Sequence, residues 1–280
     1  MSDWPIGMST GCFYQTDILD ILEVVRDGGF SIIEVCSYPA HLDYHDLEKV
    51  RKAARKISEV GLEPFSFHAP FADHIDITSL NDDQRRNSVR ELIKASEAAA
   101  EIGVRHMVLH PGPEREGRPP AEEFFYHLER ACDSVNEVAR RCEELGMTLL
   151  LENMLPHLLF GRIQDLLYIM GAANTTNVGT CLDTGHANLA GDLPLAMHKL
   201  SCHLGMLHVN DNRGGGDEHL PPGEGNVNWH QLLTDLERSG FRGGLILELS
   251  GRHGSDHTRA MHEAREARSY LNRMLREVRK

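Results

Sequence analysis

Two glutamates stand where a buried strand should carry none: Glu152 in MTLLLEN (147–153) and Glu248 in GLILELS (244–250). Burying an unpaired carboxylate costs roughly several kcal/mol, so each needs a cation or hydrogen-bond donors at hand. Four further apolar runs carry a polar residue in the same place. His68 falls in PFSFHAP, His110 in HMVLHPG, Asp183 closes VGTCLD, and His208 interrupts GMLHVND. One histidine near a strand end is ordinarily a hydrogen-bonded structural residue. Carboxylates and imidazoles at six successive strand ends are instead the oxygen and nitrogen donors that hold Mn²⁺, Zn²⁺, Mg²⁺, Co²⁺ or Fe²⁺.

These residues need a scaffold that brings strand ends together. Eight short apolar runs recur, each followed by a longer amphipathic segment: 6–12, 31–37, 64–70, 106–112, 147–153, 178–183, 205–211 and 244–250. The segments between them, such as LEKVRKAARKISEVG, have apolar residues at three- and four-residue spacing and Gly near the end as a stop. Apolar strands alternating with helices predict a parallel sheet covered by helices. Eight such units in 280 residues favour an α/β fold, a closed (β/α)8 TIM barrel, as one domain over 1–280. An open doubly wound sheet would show a Gly-rich phosphate loop after its first strand, and STGCFYQ is not one. In a barrel the C-terminal strand ends form the active-site face. Side chains alternate along a strand, so Glu152 shares its face with Leu150, and Glu248 with Ile246. If those faces point inward, the six residues converge on one mouth.

Composition narrows the partners. A 41% hydrophobic and 25% charged chain can build a large core. The formal net charge of −13 argues against nucleic acid, whose binding needs clustered Lys and Arg. Cysteines at 12, 36, 132, 142, 181 and 202 have no C-x-x-C spacing and read as reduced thiols. MSDWPIGMST has no basic segment followed by an apolar run, and no stretch approaches the ~20 apolar residues of a membrane helix. A soluble, cytoplasmic protein is expected.

Some features are secondary. The stretch DNRGGGDEHLPPGEGNVNW sets Asp217 and His219 in a Gly/Pro-rich loop, with Arg213 a candidate for an anionic substrate. CLDTGHANLAGD reads as a strand giving way to a loop, with His186 already past the strand. Glu34 in SIIEVCS fits either a residue behind the site or a hydrogen-bonded carboxylate of the barrel interior. Trp229 is expected to anchor a helix start that Asn228 caps. His74, His157, His198, His203 and His253 fit no constellation.

Assembled, the motifs resemble the xylose isomerase-like barrel superfamily, which joins sugar isomerases and epimerases with endonuclease IV-type apurinic-site nucleases. The resemblance covers essentially the whole chain. It is carried by H-A-P at 68–70, H-P-G at 110–112, L-E-N at 151–153, D-T-G-H at 183–186, H-V-N-D-N…D-E-H from 208 to 219 with P-G-E-G following, and L-E at 247–248. It implies one divalent metal, Mn²⁺ or Zn²⁺ foremost, on Glu152, Asp183, His208 and Glu248, as in the epimerases. The nuclease branch holds three zinc ions, and its extra ligands correspond to His68, His110, His186, Asp217 and His219. All nine positions are filled. The nucleases usually have cysteine where this chain has Gly185, and the loop SYPAHLDYHDLE after the second strand is acidic where a minor-groove binder would bring Arg or Lys.

The expected activity is that of a metal-dependent isomerase or epimerase on a sugar, sugar phosphate, keto-sugar or related polyol. The metal would stabilise an ene-diolate, while Glu152 and Glu248 exchange protons with the substrate. The alternatives are a trinuclear-zinc phosphodiesterase acting on abasic DNA and a non-catalytic sugar-binding barrel. A homodimer is a superfamily-level expectation.

Overall fold

The computed structural model describes residues 4–72, 74–114 and 117–280. Eight parallel strands close on themselves: β1 (Ile6–Ser9), β2 (Ile32–Cys36), β3 (Glu63–His68), β4 (His106–Leu109), β5 (Thr148–Glu152), β6 (Val178–Asp183), β7 (Leu204–Val209) and β8 (Gly244–Leu247). β1 pairs with both β2 and β8, so the sheet has no free edge. This is the single-domain (β/α)8 barrel that the alternation predicts.

Around it lie α1 (Ile18–Asp27), α2 (Leu47–Glu59), α3 (Asp82–Ile102), α4 (Ala121–Glu144), α5 (Ile163–Gly171), α6 (Thr184–Leu189), α7 (Leu193–Leu200), α8 (Trp229–Ser239) and α9 (His257–Val278). Their starts are written in the sequence. Asp17 accepts from Leu19 N, Asn81 from Asp83 N and Gln84 N, and Asn228 from Gln231 N, which satisfies donors that the first turn leaves over. Trp229 is buried at the head of α8, its Nε1 donating to Asp211 Oδ2 at 2.9 Å.

One expectation changes here. The residues after Asp183 are not loop: Thr184–Leu189 is helical, with Asp183 Oδ1 accepting from His186 N at 2.7 Å. A carboxylate at the cap is the physical reason.

The hydrophobic core has two parts. The larger lies between strands and helices. The smaller fills the barrel with Phe65, Val108, Leu150, Cys181, Met206 and Ile246. Two register shifts shape this plug. On β3, Pro64 pairs with Ile33 but Ser66 with Glu34, leaving Phe65 as an extra residue. On β7, Leu204 pairs with Thr180 but Met206 with Cys181, leaving Gly205 extra. A side chain at Gly205 would meet Leu150 at 2.7 Å. Both bulges let two adjacent residues face inward, so Phe65 fills the plug while Ser66 and His68 face the chamber above.

Candidate metal centre

Four side chains from four neighbouring strands meet above the plug. Glu152 ends β5, Asp183 ends β6, His208 lies on β7, and Glu248 directly follows β8. Their ligating atoms lie within 4.8 Å of one another. His208 Nδ1 is 2.9 Å from Glu152 Oε1 and 3.3 Å from Glu248 Oε2. Across the ring, Nε2 is 3.0 Å from Glu34 Oε2, which also accepts from Ser66 Oγ at 2.9 Å. Glu34 and His208 are fully buried, so Glu34 fixes the ring and aims Nδ1 at the two glutamates.

Asp183 is held as firmly. Besides capping α6, it accepts from Asn210 Nδ2 at 2.6 Å through Oδ2. Its backbone N donates to Asn153 Oδ1 at 2.8 Å, and its carbonyl accepts from Asn153 Nδ2 at 3.1 Å. The same Asn210 explains Gly185. A Cβ at that position would sit 2.0 Å from Asn210 Oδ1, so the asparagine excludes any larger residue.

Two further donor groups flank the four. Glu152 Oε2 lies 3.2 Å from His110 Nε2 and 3.4 Å from His68 Nε2. His110 Nδ1 is 3.0 Å from Glu114 Oε1. On the other side, Asp217 Oδ2 is 3.1 Å from His219 Nε2 and 3.6 Å from His186 Nε2. The Nδ1 atoms of His68, His186 and His219 lie 2.8–3.0 Å from the carbonyls of Ala69, Asn153 and Glu248. A carbonyl only accepts, so each Nδ1 carries a proton and each Nε2 faces the carboxylates. His219 does this from a left-handed backbone, φ 44°.

The electrostatics are those of imidazoles packed among carboxylates. Burial acts to raise the Glu152 carboxyl, but the charges of His208 and His110 hold it well below the usual range. Glu248 goes the other way, and burial raises it. His208 is pushed well above its ordinary value: burial opposes its charge, and the carboxylates of Glu152, Glu248 and Glu34 outweigh that. His110, His186 and His219 each rise to about 10, burial again being overcome by the acidic neighbours. Protons thus serve as the counter-charge, and a cation taken up by these donors would displace them.

The donors fit a divalent ion. Oε2 of Glu152 and Oε2 of Glu248 are buried and make no well-aligned hydrogen bond among the described residues, only the charge contacts with His110, His68 and His208. Carboxylate oxygens left so in a protein interior suit a metal better than an apolar wall. The nine residues singled out from the sequence therefore gather into three adjoining groups. Arg213 does not join them; it is exposed and pairs with Glu218 at 2.7 Å. Sequence reading left Glu34 undecided and passed over Glu114 and the asparagines 153 and 210. The two asparagines stand inside the motifs L-E-N and H-V-N-D-N, beside the ligands they position.

The closed eight-stranded barrel is a TIM barrel, with acidic and imidazole donors that could hold a metal gathered at the C-terminal ends of its strands. The profile of the xylose isomerase-like TIM barrel family matches residues 22–274, and the chain belongs to that family. The chain is 30% identical over 254 residues to an uncharacterized protein, MJ1311, of Methanocaldococcus jannaschii, covering 88% of this chain and 84% of that one. It is 25% identical over 187 residues to a probable endonuclease 4 of Mycobacterium leprae, covering 63% and 70%. Among solved structures, a D-tagatose 3-epimerase-like protein superimposes with a TM-score of 0.84 at 25% identity, over 98% of each chain. The D-psicose 3-epimerase of Clostridium cellulolyticum shares the fold, with a TM-score of 0.82 at 20% identity over 97% of this chain and 99% of that one. No helix among the described residues is long and apolar enough to cross a membrane.

Proposed function

We propose that the chain is a divalent-metal-dependent isomerase or epimerase acting on a keto-sugar or related polyol. The observation that carries this reading is the pair Glu152 and Glu248, whose carboxylates converge on His208 Nδ1 at 2.9 and 3.3 Å with Asp183 alongside. Glu152, Asp183, His208 and Glu248 would hold the ion, which when bound supplies Lewis-acid stabilisation of charge developing on a substrate carbonyl oxygen. Glu152, kept ionised by its neighbours, takes the proton from the carbon beside the carbonyl. Glu248, whose burial favours the protonated form, returns one from the other side, and the reverse reaction exchanges the roles. Asn210 and Glu34 hold Asp183 and His208 still. The likeness to a D-tagatose 3-epimerase-like protein supports a sugar substrate.

Turnover of ketohexoses in D₂O tests the mechanism: proton transfer brings solvent deuterium into the product, and a direct hydride shift does not. Glu152→Gln and Glu248→Gln should each lower turnover by about 100-fold or more. Near-wild-type turnover in either variant refutes the assignment.

The filled groups around His68 and His110, and around His186, Asp217 and His219, favour a second reading. Together with the endonuclease 4 relatives, they suit a three-zinc phosphodiesterase acting on abasic DNA. It predicts three zinc ions per purified chain and cleavage of an abasic duplex, where the first predicts one catalytic ion and none. The net charge of −13 weighs against DNA.

A further inference from the structure

Beside the metal centre the mouth continues into a cleft of about 490 Å³, lined by the loops that follow β2 and β3 and by α3. Its inner end is formed by Cys36 and His68, the same His68 that faces Glu152 at 3.4 Å. Aromatic walls begin there. The Phe71 ring lies 5.2 Å from those of both His68 and His110, and Tyr38 meets Phe71 edge-on at 5.7 Å and 80°. The outer end is acidic. Glu91 Oε2 accepts from the Tyr44 hydroxyl and lies beside His45 Nε2, each at 2.8 Å, and Asp43 Oδ1 lies 3.0 Å from His45 Nδ1. No Lys or Arg is among the described residues that line it.

Three properties identify the occupant. The volume falls in the range of about 300–1,000 Å³ that suits drug-sized ligands, more than one sugar ring at the metal centre would use. A phosphate or carboxylate would face Asp43 and Glu91, two carboxylates that already share His45, which disfavours an anionic group. Aromatic walls with edge-on geometry suit a flat, uncharged ring.

We infer that this cleft binds an uncharged aromatic aglycone, so that the substrate is an aryl glycoside whose ketone lies on the sugar ring. The ketone must lie on a ring carbon because the anomeric carbon is tied to the aglycone. The inference rests on the isomerase or epimerase reading for the sugar half, with the sugar at Glu152 and Glu248 and the aglycone reaching past His68 along the wall that Tyr38 and Phe71 form together.

The test compares phenyl 3-keto-β-D-glucoside with its methyl counterpart on the manganese-loaded protein, by calorimetric Kd. The phenyl compound should bind about tenfold tighter or better, since the two differ only in apolar surface that the cleft can bury. Asn87→Trp, at an exposed α3 position lining the cleft, should fill it and bring the two affinities within about twofold, with methyl binding unchanged. Equal affinities in the wild type, equal losses for both compounds in the variant, or no binding of either compound would overturn the inference. Turnover of simple ketohexoses in D₂O reports separately on the epimerase reading: the aryl preference can fail while that turnover stands, and can hold where that turnover is absent.

Discussion

Glu34→Gln removes one charge from behind His208 while keeping the shape of the side chain. In the wild type, Glu34 Oε2 takes hydrogen bonds from both His208 Nε2 and Ser66 Oγ, and a glutamine carbonyl oxygen can accept both. The amide nitrogen then replaces Oε1, a buried atom with no hydrogen-bond partner among the described residues. Two donors without acceptors cost about 1–3 kcal/mol of stability. The effect on metal is separate. Altering the partner of a ligating imidazole typically lowers metal affinity about 10–100-fold, or about 1.4–2.7 kcal/mol. Competition for manganese against a fluorescent chelator measures that loss. Thermal unfolding in EDTA, run alongside, measures the stability cost without metal. The expected result is a manganese Kd raised at least tenfold in a protein that still unfolds cooperatively. A folded variant that binds manganese within twofold of wild type would refute the orienting role of Glu34.

Other consequences are as open to measurement. His41 is buried, with Nδ1 2.6 Å from Thr16 O and Nε2 2.9 Å from Thr10 Oγ1, and burial lowers its pKa from 6.5 to about 4. The unfolded chain takes up that proton first as pH falls. The contribution of His41 to stability is therefore complete above about pH 6.5 and is lost towards pH 4, by on the order of 3 kcal/mol. Urea unfolding between pH 7 and 4.5 should show this slope, and His41→Gln should reduce it, His106, which burial also lowers to about 4, keeping the remainder. Gly185→Ala places a Cβ 2.0 Å from Asn210 Oδ1, so Asn210 must leave Asp183; a loss of about 1–3 kcal/mol is expected in urea unfolding, with weaker manganese binding. Manganese at 100 times its Kd should stabilise the wild type by about 2.7 kcal/mol, and EDTA should reverse the shift in Tm. An unchanged Tm would count against a metal held by the folded site.

The barrel was legible because its signal is repeated: eight apolar runs, each followed by a helical period, leave little choice of topology. The strand ends were less so. The run at 106–112 extends past β4, which stops at Leu109, because Pro111 and Gly112 are apolar in type yet belong to the turn. The donors stood out because Glu152 and Glu248 interrupt apolar runs. Glu34 interrupts one too, but from the sequence a carboxylate on β2 does not disclose that it reaches across the barrel to His208, 174 residues away. The bulges at Phe65 and Gly205 were equally hidden, since strict alternation from either residue would turn His68 or His208 outward. The helix after Asp183 was missed because Thr, Gly and Asn are common loop residues, and only the capping carboxylate marks its start.

Glu152 divides its two oxygens between two sets of donors, Oε1 towards His208 and Oε2 towards His110 and His68. Sites that share a carboxylate do not fill independently. A cation drawing on one oxygen fixes the torsion of the whole group and reduces the charge left on the other, so the first binding step sets the affinity of the second. By reciprocity the second alters the first by the same factor. Were both sets to take a cation, a metal titration would be described by stepwise constants that belong to the centre as a whole, and substitutions at His68 or His110 would shift the constant measured at His208.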